Sequence, residues 1–98
     1  MEKTKPHYDL SRAKTLARQG AIAVTGTAMR DAQNLGFELR DIVGVITSLS
    51  REDFFKSMTA YHDARLWHDV YRPMTVAGQL YVKLILQNDV LVVSFKER

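Results

Sequence analysis

The clearest pattern in the chain lies near its end. From Gln79 to Gln87, Leu80, Val82, Leu84 and Leu86 alternate with Gln79, Tyr81, Lys83, Ile85 and Gln87. From Val90 to Lys96, Leu91, Val93 and Phe95 continue the apolar side, and Val90, Val92, Ser94 and Lys96 the other. A period of two marks strands with one buried face. Asn88-Asp89 is a permissible two-residue turn, weaker than Asn-Gly. With that turn Gln87 pairs with Val90, and Leu86, Leu84 and Val82 face Leu91, Val93 and Phe95. Tyr81 then lies opposite Lys96, and Lys83 opposite Ser94. A one-residue slip would set Leu and Val against Ser and Lys, which disfavours it. A three-residue loop with a bulge would change the pairing.

Upstream the period changes to that of helices. Asp9 or Ser11 caps a first helix carrying Leu10, Ala13, Leu16 and Ala17 inward, with Gly20 just past its end. Ala21 to Val24 is a short extended candidate. Thr25 or Thr27 caps a second helix with Ala28, Met29, Ala32 and Leu35 on one face, stopped by Gly36. A third runs from about Leu39 to Ser48, with Ile42, Val43, Ile46 and Leu49 inward. These faces are narrow and rich in alanine, so they need a flat surface to pack on. Ser50 to Asp53 forms a turn with a weak capping box. Phe54 to Tyr61 and Trp67 to Tyr71 are strand candidates, the latter ended by Arg72-Pro73. Helices followed by strands predict an α+β domain, three short N-terminal helices packed on a twisted antiparallel sheet.

Length and composition keep that picture to one domain, residues 1–98, with one modest core. The chain has no cysteine, which excludes disulfides and Cys-ligated zinc and fits a reducing, cytoplasmic setting. No segment reads as a signal peptide or a membrane span. The formal charge of +3 is uneven. Residues 1–20 carry five Lys/Arg against two acids, residues 21–53 three against five, and residues 54–98 six against four. Basic ends around an acidic middle fit a polyanionic partner, or no more than a soluble surface.

The candidate chemistry is narrow. His62-Asp63 and His68-Asp69 are isolated pairs rather than a metal cluster, and no phosphate-binding loop or nucleophile elbow occurs, so no metal or cofactor is expected. Lys, Arg, Tyr and His without a carboxylate pair suit RNA cleavage by its own 2′-hydroxyl. That reaction needs a base, an acid and positive charge near the phosphate. Lysine and tyrosine titrate near 10 in isolation, so a lysine acts as a base at neutral pH only when burial or neighbouring cations depress it. His62 and His68 titrate closer to neutrality. Tyr81 and Lys96 also fit a plain exposed cross-strand pair.

Four strings carry a family resemblance: Ser50-Arg-Glu-Asp-Phe-Phe-Lys-Ser-Met-Thr59, Trp67-His-Asp-Val-Tyr-Arg-Pro73, Gly78-Gln-Leu-Tyr-Val-Lys-Leu84 and Asp89-Val-Leu-Val-Val-Ser-Phe-Lys-Glu97. With Met-Glu-Lys at the start and Pro6-His7, they resemble the motility quorum-sensing regulator (MqsR) toxin family along the whole chain. The strings Asp53–Thr59 and Asp69–Pro73 are the specific ones; residues 12–48 match mainly in pattern. The resemblance implies a RelE-like α+β fold and a metal-independent mRNA interferase of a type II toxin–antitoxin system. It implies cutting of single-stranded mRNA at GC-containing triplets, and neutralisation by a zinc- and DNA-binding, MqsA-like antitoxin. By position it implies Lys56, Tyr81 and Lys96 as catalytic residues. His68 stands where the family has Gln, as a true acid/base or a hydrogen-bonding substitute. Arg72 and Lys83 are expected to bind RNA. A non-catalytic RNA- or protein-binding module, or a purely structural interaction protein, are the other classes that the residues alone allow.

Overall fold

The computed structural model describes residues 1–98. A two-residue strand, β1 (Glu2–Lys3), precedes helix α1 (Leu10–Arg18), strand β2 (Ile22–Val24), and helices α2 (Gly26–Asn34) and α3 (Leu39–Ser48). After a single 3-10 turn at Arg51–Asp53 come β3 (Phe54–Ala60), β4 (Asp63–Tyr71), β5 (Met74–Thr75), β6 (Gly78–Leu86) and β7 (Val90–Glu97).

Local chemistry explains the helices. The Asp9 side chain accepts from the Ser11 amide to start α1, and the Thr25 hydroxyl accepts from the Ala28 amide to start α2. Gly20 and Gly36 follow α1 and α2 with φ of 80° and 87°, a left-handed geometry that favours glycine. Glu38 and Asp41 form a reciprocal capping box at the head of α3. Ala13, Ala17, Ala28, Ala32, Ile42 and Ile46 bring all three helices onto one face of the sheet. Alanine at the contact lets helix and sheet backbones approach closely, so the ridges that fill the space come from Ile42, Ile46, Leu49 and the strands.

The sheet runs β1-β3-β4-β6-β7-β2, with β5 folded back on β6. Its core face is built in rows across strands. Phe54, Tyr71, Val82 and Phe95 pair in succession through β3, β4, β6 and β7. Phe54 meets Tyr71 edge-on at 5.4 Å between ring centres, and Phe37 meets Phe95 at 5.3 Å.

The expected fold is corrected on two counts. The helices do not all precede the strands, since β1 lies ahead of α1 and β2 separates α1 from α2. Nor is the sheet antiparallel throughout: β2 joins β7 in parallel, Ile22 to Val24 beside Val90 to Val92. An antiparallel hairpin needs only a tight turn, whereas this parallel pair becomes possible because two helices and four strands intervene.

The terminal hairpin also differs at its turn. Three residues, Gln87, Asn88 and Asp89, separate the paired Leu86 and Val90, and Leu84 pairs with Val92. Val90 and Val92, not Leu91 and Val93, are therefore the residues fully buried. A bulge at Val93 then restores the expected pairing: Lys83 faces Ser94, Val82 faces Phe95 and Tyr81 faces Lys96.

Residues 1–9 are strapped across the β3–β4 end. Asp69, only 2% exposed, accepts the backbone N–H groups of His7 and Tyr8, each at 2.9 Å. These charge-assisted bonds satisfy a carboxylate that burial would otherwise penalise. The Tyr8 hydroxyl donates to the Trp67 carbonyl at 2.8 Å, and the His7 ring stacks on Trp67.

Candidate active site

All three helices cover one face of the sheet, and the other face stays open. Lys56, Val70, Lys83 and Ser94 pair in succession across β3, β4, β6 and β7, and so share that outer face. His68, paired with Met58, lies two residues along β4 from Val70 on the same side. Tyr81 and Lys96 form the adjacent pair on β6 and β7. Two bulges bracket the row. Phe55 on β3 and Val93 on β7 each lack an opposite residue, so Phe55 joins Lys56 on the open side. Bulges re-aim side chains in this way beside many active sites.

The floor is apolar. Val70 is fully buried and Ile85 is 6% exposed, yet neither belongs to the core on the other face. Cationic side chains border them, Lys56 and Lys83 on either side of Val70. The Tyr81 ring centre lies 5.6 Å from the Lys83 nitrogen and 5.8 Å from the Lys96 nitrogen, within cation–π reach of both. The Arg72 guanidinium stacks on Phe55 at 3.8 Å, and the Lys56 nitrogen lies 5.2 Å from the same ring. Lys56 also donates to the Glu2 carboxylate at 2.7 Å. That hydrogen bond, and then the lysine charge itself, hold the Glu2 carboxyl below its ordinary range.

These placements change protonation. Burial beside the apolar floor, then the charges of Lys96 and Lys56, push the Lys83 amine below its ordinary value. Burial, then the charge of Lys83, does the same to the His68 imidazole. A basic group depressed below 6.5 is largely neutral at pH 7 and takes a proton only in more acid solution. Replacing Lys83 by alanine removes the nearby charge, so the His68 midpoint rises. An NMR titration of the imidazole protons checks this, and an unchanged midpoint would separate the two residues. The Ser57 hydroxyl donates to the His68 carbonyl at 3.3 Å, fixing the backbone that carries the ring.

Lys56, His68, Tyr81, Lys83, Lys96 and Arg72, the residues singled out in the sequence, are therefore assembled on one face. His62 is not among them: it sits at the β3–β4 turn against the almost fully exposed Tyr61. Phe55 and Glu2 are the additions. The doublet Phe54-Phe55 was the available signal for the first, since successive strand residues face opposite sides and only one of the two rings can be core. Nothing in the sequence marked Glu2. No three His, Asp or Glu side chains converge as a metal-ligand set.

An open, cationic face with aromatic rings and a depressed imidazole and amine can bind a phosphodiester and exchange protons with it. Comparison with known proteins agrees with that chemistry. The chain is 47% identical, over all 98 residues and the full length of both proteins, to the mRNA interferase toxin MqsR of Escherichia coli (strain K12). The family model described as "Motility quorum-sensing regulator, toxin of MqsA" matches residues 5–97. On both findings the chain belongs to the motility quorum-sensing regulator family of toxins.

Proposed function

We propose that the outer face of the sheet cleaves single-stranded mRNA at GC-containing triplets by attack of the RNA 2′-hydroxyl, without a metal ion. Membership of its family makes the chain an endoribonuclease toxin with mRNA as substrate and a cognate antitoxin as partner. The residues, the route and the triplet are the proposal. The observation that carries it is Lys83 seated beside an apolar floor between Lys56 and Lys96, with His68 and Tyr81 beside it.

In this reading Lys56 and Lys96 offset the charge that grows on the phosphoryl oxygens. His68, neutral at working pH, accepts the 2′-hydroxyl proton, and Tyr81 positions or protonates the departing 5′ oxygen. The 2′-oxygen–phosphorus bond forms as the phosphorus–5′-oxygen bond breaks, leaving a 2′,3′-cyclic phosphate and a 5′-hydroxyl. Arg72 and Lys83 hold neighbouring phosphates, with Arg72 and Phe55 presenting a stacked plane to a base. The antitoxin in this reading is a zinc- and DNA-binding, MqsA-like protein, and the pair acts in the cytoplasm. No helix of the chain is long and apolar enough to cross a membrane.

End-mapping of a GC-containing RNA cut by the purified chain tests the route. The expected products carry 5′-hydroxyl ends and form equally well in EDTA. Loss of cleavage in EDTA, or 5′-phosphate ends, would overturn it.

A further inference from the structure

We propose that the cleft between the N-terminal segment, α1 and the Arg51–Asp53 turn is a second RNA-binding site, which holds phosphates of the strand outside the cleaved triplet. The cleft has a volume of about 1040 Å³. That is the upper end of the roughly 300–1,000 Å³ typical of small-molecule sites, and it suits a chain segment better than a single ion.

Its lining is cationic. Lys5, Lys14, Arg18 and Arg51 border it with one carboxylate, Asp9. Lys14 is used internally, donating to the Leu49 carbonyl at 2.7 Å, and the Asp9 carboxylate is engaged by the Ser11 amide. Lys5, Arg18 and Arg51 are exposed and take part in none of the chain's ion pairs, which join Arg40 to Glu38, Lys56 to Glu2 and Arg65 to Asp63. Three uncompensated cations along one cleft attract a polyanion.

The floor gives the second observation. Tyr71 is 2% exposed and lines the cleft, and its hydroxyl, which has no partner within the chain, is not enclosed and so is the part of the side chain left accessible. Burial, then the charge of Asp69, raise its pKa, with Asp53 and Asp9 acting the same way and Arg51, on the cleft wall, opposing them. That hydroxyl can donate to a phosphate oxygen held by Arg51, and the half-buried Phe54 ring beside it gives a base an apolar surface. An acidic peptide would use the cations but leave the rings without a role.

The position links the cleft to the active site. Phe54 and Tyr71 point to the core side, while their neighbours Phe55 and Arg72 point to the open side. The two sites thus lie back to back at the start of β3. Strand β1 pairs with β3 at Ser57 and Met58 and Glu2 reaches Lys56, which leaves Phe54 and Phe55 as the place where a single strand can pass from one side to the other.

The test compares two RNAs, a minimal oligonucleotide holding only the cleaved triplet and one with long single-stranded flanks, on wild type and Lys5→Ala/Arg18→Ala/Arg51→Ala. The triple variant is expected to raise KM for the flanked RNA about tenfold and to lower its salt slope by about two, as losing three phosphate contacts requires. kcat for both RNAs and KM for the minimal one stay at wild-type values, which also shows that the fold and the active face are intact. Equal KM for the flanked RNA in both proteins would overturn the proposal. So would an unchanged RNA KM accompanied by weakened antitoxin binding, which would make the cleft a protein-docking surface.

Discussion

Changing Lys96 to alanine is expected to lower kcat for RNA cleavage by about 10²–10³-fold, the range seen when one preorganised charge or donor facing the reacting centre is removed. The fold should survive. Lys96 is exposed and forms no salt bridge, and its strand is held by Phe95 beside it. The effect belongs to kcat rather than KM if the ammonium acts on charge that develops only in the transition state. Single-turnover cleavage at saturating enzyme separates the two. A second readout comes from Lys83. With Lys96 gone, one of the two charges depressing Lys83 is removed, so its midpoint rises toward that of a free lysine. An alanine variant cleaving at the wild-type rate would place the reacting phosphate elsewhere.

The second large effect is on stability. Phe95→Ala should cost about 3–5 kcal/mol, the usual range for emptying a fully buried aromatic position. Phe95 is 0% exposed, closes the row Phe54–Tyr71–Val82–Phe95, and meets Phe37 from the connection between α2 and α3. A domain of this size has about 5–15 kcal/mol in total, so the variant loses a large fraction of its stability. At about 4–8 °C per kcal/mol the melting temperature falls by roughly 12–40 °C, which calorimetry would register. Phe95→Leu, which keeps most of the volume, should cost less than the alanine change. A loss under 1 kcal/mol for the alanine variant would show that the helices do not rest on this residue.

The helices were legible because their signals are local. Asp9 and Thr25 cap through their own side chains, and Gly20 and Gly36 take backbone angles that other residues resist. β1 and β5 were not legible, since two residues carry no period and are strands only because β3 and β6 stand beside them. The parallel placement of β2 was hidden for a similar reason: Ile22 to Val24 signals extension but not direction. In the hairpin, Val90-Leu91-Val92-Val93 is apolar at every position, so hydrophobicity cannot say which residues turn inward. Ser94 and Lys96 could, and the pairing was read correctly where they lie. Of the site, the facing of Tyr81 and Lys96 came from that alternation, His68 came first, with His62, from the chemistry of its imidazole, and Lys56 was reached through family resemblance. The central seat of Lys83 depends on its pairing with Val70 on the neighbouring strand, which no local pattern encodes.

The Val93 bulge has a consequence for how the hairpin can vary. The third residue of the Gln87–Asp89 loop shifts the strands by one step, and the extra residue at Val93 shifts them back. The two departures cancel before the chain reaches Lys96. A relative with a two-residue turn and no bulge would present the same tyrosine and lysine to solvent. Loss of either departure alone would rotate Lys96 toward the helices and Phe95 toward water. At constant chain length, a change in the turn is therefore tolerated only together with a gain or loss of the bulge.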